Sequence, residues 1–194
     1  MARLTSAAAG VLLGFAVPAQ AQVDRWSSEI AEASARFGIP EDWIRRVIRA
    51  ESDGRIELDG APIMSRAGAM GLMQLMPQTW LEMRAANQLG ADPFDPHDNI
   101  IAGTAYLRSM YDRFGYPGLF AAYNAGPTRY DAVRVGRRAL PAETVAYVRK
   151  ISGAAAPARS DAKQTVIPSS ATRAALGKLS ALTPASTGLF AIRR

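Results

Sequence analysis

Pro40-Glu41-Asp42-Trp43-Ile44-Arg45-Arg46-Val47-Ile48-Arg49-Ala50-Glu51-Ser52 sets the pattern for the rest of the chain. A proline at a first-turn position loses nothing by lacking an N–H, and Glu41 and Asp42 meet the positive end of the helix dipole. Ile44, Val47 and Ile48 then fall at i, i+3 and i+4, forming one apolar stripe. Carried one step further, the stripe reaches Glu51. A carboxylate on the buried side of a helix is unfavourable unless it is neutral, paired or used chemically. Arg55 and Arg49 are the sequence neighbours that offer pairing, although Arg49 points elsewhere around the helix. A position near the helix end also lets Glu51 turn to solvent.

The same helical spacing runs through residues 24–153, with almost no alternating strand pattern. Asp24 or Ser27/Ser28 caps a first helix that ends at Phe37, before Gly38. Asp98 or Asn99 starts a long helix on which Ile100, Leu107, Met110 and Phe114 share a face, and Gly115 stops it. Gly118 to Ala125 reads as a short apolar helix ended by Gly126-Pro127. Pro141, with Glu143 in the first turn, opens a last helix through Ile151, closed by Gly153. Residues 55–61 hold at most a small irregular hairpin. The expected fold is all-α, a compact helical domain of about 130 residues.

Composition narrows the chemistry. The chain has 194 residues, 48% hydrophobic and 21% charged, with no cysteine and one histidine, His97. A disulfide framework, a thiol nucleophile and a two-imidazole metal site are thereby excluded. No metal site or cofactor motif is apparent. The net charge of +6 is unevenly placed: residues 24–153 hold 16 basic and 16 acidic side chains, and residues 154–194 hold six basic against one acidic. The folded part is neutral, so nucleic acid is not an expected partner.

The ends read differently from the middle. Residues 1–21 have the form of a secretory leader: Arg3, an uncharged apolar run from Ala7 to Val17, and the small-x-small site Ala19-Gln20-Ala21. The apolar run is about half as long as a membrane-spanning helix requires. Left uncleaved, the segment is an N-terminal anchor; cleaved, it leaves a mature protein beginning near Gln22. Residues 154–194, rich in Ala, Ser, Thr, Pro and Lys/Arg, read as a disordered, solvated tail whose charge also suits a tether to anionic envelope polymer or lipid. The domain reading is therefore a leader at 1–21, a helical domain at 22–153 and a basic tail at 154–194.

Two further stretches carry polar groups in apolar surroundings. In Ser65-Arg66-Ala67-Gly68-Ala69-Met70-Gly71-Leu72-Met73-Gln74-Leu75-Met76-Pro77, small residues permit close backbone approach, and Gln74 places an amide among leucines and methionines. Such an amide needs partners, and sugars supply both donors and acceptors. Ala122-Tyr123-Asn124-Ala125-Gly126-Pro127 puts a phenol and an amide at the end of the short apolar helix.

Together these pieces resemble the soluble lytic transglycosylase family, lysozyme-like enzymes that cleave bacterial peptidoglycan. Ala50-Glu51-Ser52, Gly68 through Pro77, Asn99 through Leu107, Ala122 through Gly126, and Pro141-Ala142-Glu143-Thr144 with Tyr147-Val148 stand in the family's order. The resemblance covers about 42–151 and implies a lysozyme-like helical domain with a substrate cleft. It also implies a single catalytic glutamate, Glu51. This residue would act first as general acid toward the bond between N-acetylmuramic acid and N-acetylglucosamine. It would then act as base on the muramic C6 hydroxyl to close a 1,6-anhydro ring. Burial would raise its pKa. Tyr123 would hydrogen-bond the glutamate; Ser65 and Gln74 would hold the N-acetyl and hydroxyl groups; Asn124 and Tyr147 would line the cleft, with Met73 as an apolar wall. The implied partner is the glycan strand, the implied location the periplasm, the implied state a monomer, with no cofactor.

One departure concerns the loop after Glu51. The family places a serine within about ten residues of its Glu-Ser pair, whereas Glu51 and Ser65 are 14 positions apart and no Phe-Asn-Pro intervenes. The inserted stretch contributes Asp53, Glu57 and Asp59. It reads as an exposed acidic loop, unless one carboxylate faces the cleft and positions a water, as in a hydrolytic muramidase. The rival from another class is a non-catalytic peptidoglycan-binding or scaffolding component of an envelope secretion or conjugation apparatus, a machine that the tail also offers a means of reaching.

Overall fold

The computed structural model describes residues 19–152; the basic tail and residues 1–18 of the expected leader lie outside them. In chain order the elements are α1 (Ala19–Asp24), α2 (Ser27–Phe37), α3 (Glu41–Glu51), β1 (Glu57–Leu58), β2 (Ala61–Pro62), α4 (Pro77–Asn87), α5 (Pro96–Phe114), α6 (Gly118–Ala125), α7 (Pro127–Arg134) and α8 (Ala142–Ser152). The described chain is helical, as the spacing predicts. Its one sheet is the antiparallel β1–β2 hairpin, with Glu57 opposite Pro62 and Leu58 opposite Ala61.

Helix α5 is the axis around which α2, α4 and α6 pack. The predicted stripe of α3 is fully buried at Ile44, Val47 and Ile48, and meets Ile30 of α2, Ile100, Ile101 and Leu107 of α5, and Leu119 and Phe120 of α6 in one core. Helix α6 is apolar on all sides and is correspondingly enclosed, between α5, α7 and α8. Arg108, the one buried arginine among the described residues, pairs with Asp112 at 2.9 Å and donates to the carbonyl of Phe37 at 3.1 Å, capping α2. Near the N-terminus, Val23 is buried and Trp26 Nε1 donates to the Gly54 carbonyl at 2.9 Å, so the chain closes over the end of α3. Gly54 (φ +78°) must be glycine there: a Cβ would stand 2.7 Å from the Gln22 carbonyl carbon.

Some boundaries differ from the sequence reading. The residue before α2 is Trp26, not a capping serine, and no side chain caps it. The long helix begins at Pro96, two or three residues before the expected Asp98 or Asn99. Asp95 is its cap, accepting the Asp98 N–H at 2.9 Å, and the proline fits the first position. Helices α4 and α7 were not anticipated. Helix α4 buries only Trp80 and α7 buries no residue, so neither has a stripe to read, and both start at a proline that also reads as a stop.

His97 ties two helices together on the surface. Its Nδ1 lies 3.0 Å from Asp98 Oδ1 and its Nε2 lies 3.2 Å from both oxygens of Glu32 on α2. Donor atoms of Asp95, His97 and Asp98 sit within 4.8 Å of one another. They are engaged internally: Asp95 with the Asp98 N–H, Asp98 with the Gly90 N–H at 2.7 Å, and His97 with Asp98 and Glu32.

The hydrogen bond to Asp98 first, and then Glu32, raise the His97 pKa above its ordinary 6.5. A raised pKa contributes stability that is fully present below the unfolded value and is lost as pH rises through the folded one. The imidazole is half exposed, which limits the effect to about 0.3–1 kcal/mol. His97→Gln is therefore expected to lower Tm by about 1–3 °C at pH values under about 6 and to leave it unchanged at alkaline pH. Thermal melts of both proteins across that range check this, and a deficit independent of pH rejects the charged bridge.

Candidate active site

Glu51 is the last residue of α3, and Ser52 determines where the helix end lies. The Ser52 hydroxyl donates to the Leu72 carbonyl at 2.8 Å and accepts the Gly54 N–H at 3.2 Å. This buried residue fastens the end of α3 to the turn that contains Gln74. In that turn Met70 and Leu75 exchange both backbone bonds, 2.9 and 3.0 Å. Leu72, Met73 and Leu75 enter the core, and Gln74 takes a left-handed conformation (φ +48°). The Gln74 side-chain nitrogen donates to the Gly71 carbonyl at 2.9 Å and so pins its own turn.

Asn99, in the first turn of α5, organises the turn from below. Its Oδ1 accepts the Met73 N–H at 2.8 Å, and its Nδ2 donates to the carbonyls of Met70 (3.1 Å) and Pro93 (2.9 Å). Gly71 is small because Asn99 lies against it; a Cβ there would also stand 2.8 Å from the Pro93 oxygen. The close approach anticipated for this small-residue run is, at Gly71, an internal one. The sequence reading offers Asn99 as a start of the long helix and as part of a family motif, without these bonds. The missed signal is the one used for Glu51: an amide on the same helix side as Gly103 and Met110.

Helix α6 brings in Tyr123, whose hydroxyl donates to the Met73 carbonyl at 2.8 Å and whose ring stands 5.2 Å from that of Tyr106. This corrects the expected donation from Tyr123 to the glutamate: the phenolic proton is committed to backbone. Tyr123 is nevertheless a neighbour of Glu51, whose charge, after burial, is the next cause raising the Tyr123 pKa. The phenol that bears on the ionisation of Glu51 is Tyr147 of α8. Its hydroxyl is buried, has no aligned hydrogen-bond partner in the protein, and favours the charged form of Glu51.

Burial dominates at Glu51 and lifts its pKa from 4.5 to about 7, against the lowering effects of Tyr147 and Lys150; Glu143 raises it further. The carboxylate bearing on Glu51 is thus Glu143 of α8. Asp53, Glu57 and Asp59 are not among the groups that act on it. Asp53 stands 3.9 Å from Arg55, and Glu57 and Asp59 lie exposed on the hairpin.

A pocket of about 290 Å³ is lined by Gln74, Tyr106, Tyr123, Asn124 and the Gly126-Pro127 bend, among others. It therefore gathers three of the sequence-selected residues, Gln74, Tyr123 and Asn124; Glu51 is not part of its lining, and neither is Tyr147, expected in the cleft wall, whose hydroxyl is buried instead. Asn124 Oδ1 accepts from the buried Thr144 hydroxyl at 2.8 Å, which joins α6 to α8 at the rim. Ser65 lies outside this pocket and builds a turn, its oxygen accepting the Ala69 N–H at 3.0 Å. Met73 is a second correction: its side chain is completely buried beneath the site, packed over Gly103 and beside Thr104, and is not a wall of the pocket.

Two outcomes follow from this geometry. Asn99→Ala leaves the Met73 N–H and the Pro93 carbonyl without partners and takes one of two donors from the Met70 carbonyl, an expected loss of about 2–4 kcal/mol in urea unfolding; Asn124→Ala, at the rim, costs under about 1.5 kcal/mol. Glu51, with its raised pKa, favours folding most when protonated. That preference holds below pH 4.5 and is lost as pH rises through about 7, an effect of up to about 3 kcal/mol. Glu51→Gln is consequently expected to be more stable than the natural protein at pH 8 and equal to it at pH 4. An equal difference at both values would show that the carboxyl is solvated.

Known proteins resemble this chain in sequence and in fold. The Transglycosylase SLT domain family matches residues 28–144. The chain is 38% identical over 92 residues to a transglycosylase of Enterobacteria phage PRD1, covering 47% of this chain and 31% of that one. It is 35% identical over 124 residues to the soluble lytic murein transglycosylase of Escherichia coli K12, covering 58% and 18%. The structure of the 70 kDa soluble lytic transglycosylase of Escherichia coli superposes with a TM-score of 0.56 at 29% identity, over 65% of this chain and 22% of that one. An inactive Glu-to-Gln mutant of the Pseudomonas aeruginosa lytic transglycosylase Slt superposes with a TM-score of 0.55 at 28% identity, over 64% and 22%. The chain thus spans about a fifth to a third of the relatives it matches. With the family pattern running from α2 into α8 and the helices superposing, this chain belongs to the Transglycosylase SLT domain family.

Proposed function

We propose that the chain is a murein lytic transglycosylase. It cleaves the β-1,4 bond between N-acetylmuramic acid and N-acetylglucosamine and leaves 1,6-anhydromuramic ends, with Glu51 as the single acid and base. The observation that carries this reading is one carboxyl group, shielded enough to hold a proton near neutral pH, that neighbours Tyr123, a wall of the pocket lined by amides and phenols. Three relatives bear the name soluble lytic murein transglycosylase, and the inactive Pseudomonas aeruginosa mutant lost a glutamate.

Protonated Glu51 donates to the glycosidic oxygen as the C1–O bond breaks, so the leaving sugar departs as a neutral alcohol. Positive charge develops at muramic C1, where the substrate's own acetamido oxygen can lend electrons. Glu51 is now a carboxylate, and the Tyr147 hydroxyl stabilises it. It then takes the proton of the muramic C6 hydroxyl as that oxygen bonds C1. The proton returns to Glu51, no water enters, and the enzyme is restored. A pKa near the working pH serves both halves of such a cycle. Gln74 and Asn124 offer amides to the sugar's acetamido and hydroxyl groups, Ser65 offers a hydroxyl from the adjoining turn, and Tyr106 offers an aromatic face. Residues 22–153 would constitute the catalytic unit, exported to the periplasm by residues 1–21, with residues 154–194 as a basic appendage.

Digestion of purified sacculi followed by mass spectrometry is expected to yield anhydromuramic ends; reducing muramic ends would identify a hydrolase instead, and binding without turnover a scaffold. Glu51→Gln is expected to lower turnover by about 10²–10⁴-fold or more. Because the first step needs the protonated acid, the rate is expected to fall as pH rises above about 7. A rate that climbs through that range would assign the chemistry to another group.

A further inference from the structure

Helix α8 is joined to α3 at two crossed points. Arg46 of α3 sends Nη1 to the carbonyl of Ile151, in the last turn of α8, at 3.1 Å. Lys150, in that same turn of α8, sends Nζ to the carbonyl of Ala50, the residue before Glu51, at 3.4 Å. The last carbonyls of a helix have no partner within it, and the negative end of the dipole favours a cation. Here each helix supplies the cation for the other's end. Arg46 is itself steadied by Asp42, 2.6 Å away on the preceding turn. Glu143, Tyr147 and Lys150 stand at i, i+4 and i+7, so one side of α8 carries all three. Between the charges lies the buried Tyr147 hydroxyl, with no aligned partner of its own.

We propose that Arg46 and Lys150 are positioning residues: a reciprocal clamp that holds α8 across the end of α3 and thereby keeps the Tyr147 hydroxyl and the opposed charges of Glu143 and Lys150 on Glu51. The inference rests on Glu51 being the acid–base group. The surroundings of Glu51 support it. Tyr147 and Lys150 favour its charged form and Glu143 its neutral one, all from α8; Tyr123 is its neighbour from α6, and residues 70–76 carry no titratable side chain. The clamp therefore sets two things at once, the place of a hydrogen-bond donor and the balance of charge that decides how readily Glu51 exchanges its proton. Lys150 does this without touching the substrate, from an exposed position on the far turn of the helix.

The test is a carbon-13 NMR titration of the Glu51 side-chain carboxyl in the full chain, run beside turnover of soluble glycan strands. Lys150→Met is expected to move the midpoint to higher pH, Glu143→Gln to lower pH, and Lys150→Arg to keep it at the natural value. Lys150→Met is also expected to lower kcat about tenfold with KM unchanged, and Lys150→Arg to restore it. Arg46→Lys, which retains a cation for the Ile151 carbonyl, is expected to behave as the natural protein. A Glu51 midpoint unmoved in Lys150→Met, or a change confined to Tm, would overturn the clamp. The titration needs no turnover, so it remains decisive even if Glu51→Gln proves active and the catalytic reading fails.

Discussion

The site depends on shielding one carboxyl group from most of the surrounding water. Moving the Glu51 pKa from 4.5 to about 7 amounts to about 3 kcal/mol against its ionised form. That is a sizeable part of the 5–15 kcal/mol that holds a typical domain together. The surrounding structure can sustain it because the stripe that delivers Glu51 is fully buried, and Ile44, Val47 and Ile48 are anchored in the same core as α5 and α6. An acid at a frayed helix end would turn outward. This one is prevented from doing so by the Ser52 hydroxyl, which binds the next segment at Leu72, and by Trp26, which closes over Gly54.

The 70–76 turn is rigid for a similar reason. Its backbone polar groups are nearly all satisfied from within the protein, through the Met70–Leu75 pair, the Asn99 amide and the Tyr123 hydroxyl. Tyr123 has a structural duty, securing Met73, alongside its place in the pocket wall. Removing such a residue changes the shape of the site as well as its chemistry, so effects on turnover cannot be partitioned group by group. Met73, beneath the turn, fills the space left by Gly103 and explains why that helix position has no side chain.

Helix α8 completes the site from outside the core. It buries only Thr144 and Ile151, yet it supplies the hydroxyl that acts on Glu51, both flanking charges and, through Thr144, a bond to Asn124 at the pocket rim. Such an element is held more by a few polar ties than by apolar area, which makes those ties consequential. The phage and Escherichia coli relatives are about three and nearly six times as long as the stretch that this chain covers, so the same helical unit occurs within larger proteins.

Periodicity alone made much of the fold legible. The stripe of α3, the glycine after Phe37, the apolar run of α6 and the Pro141–Glu143 opening of α8 are local signals, and each marks an element within a residue or two. Glu51 was legible too, because a charge on a buried stripe is anomalous whatever the fold. Helices α4 and α7 were not, since they bury at most one residue and owe their order to neighbours. Nor could sequence decide which phenol gives its proton to Met73 and which bears on Glu51. Tyr123 and Tyr147 lie on different helices, 72 and 96 positions beyond the glutamate, and only the packing of α6 and α8 against α3 sets where each hydroxyl ends. Hydrogen bonds reach about 3 Å, and partners that distant in sequence are chosen by tertiary contacts alone.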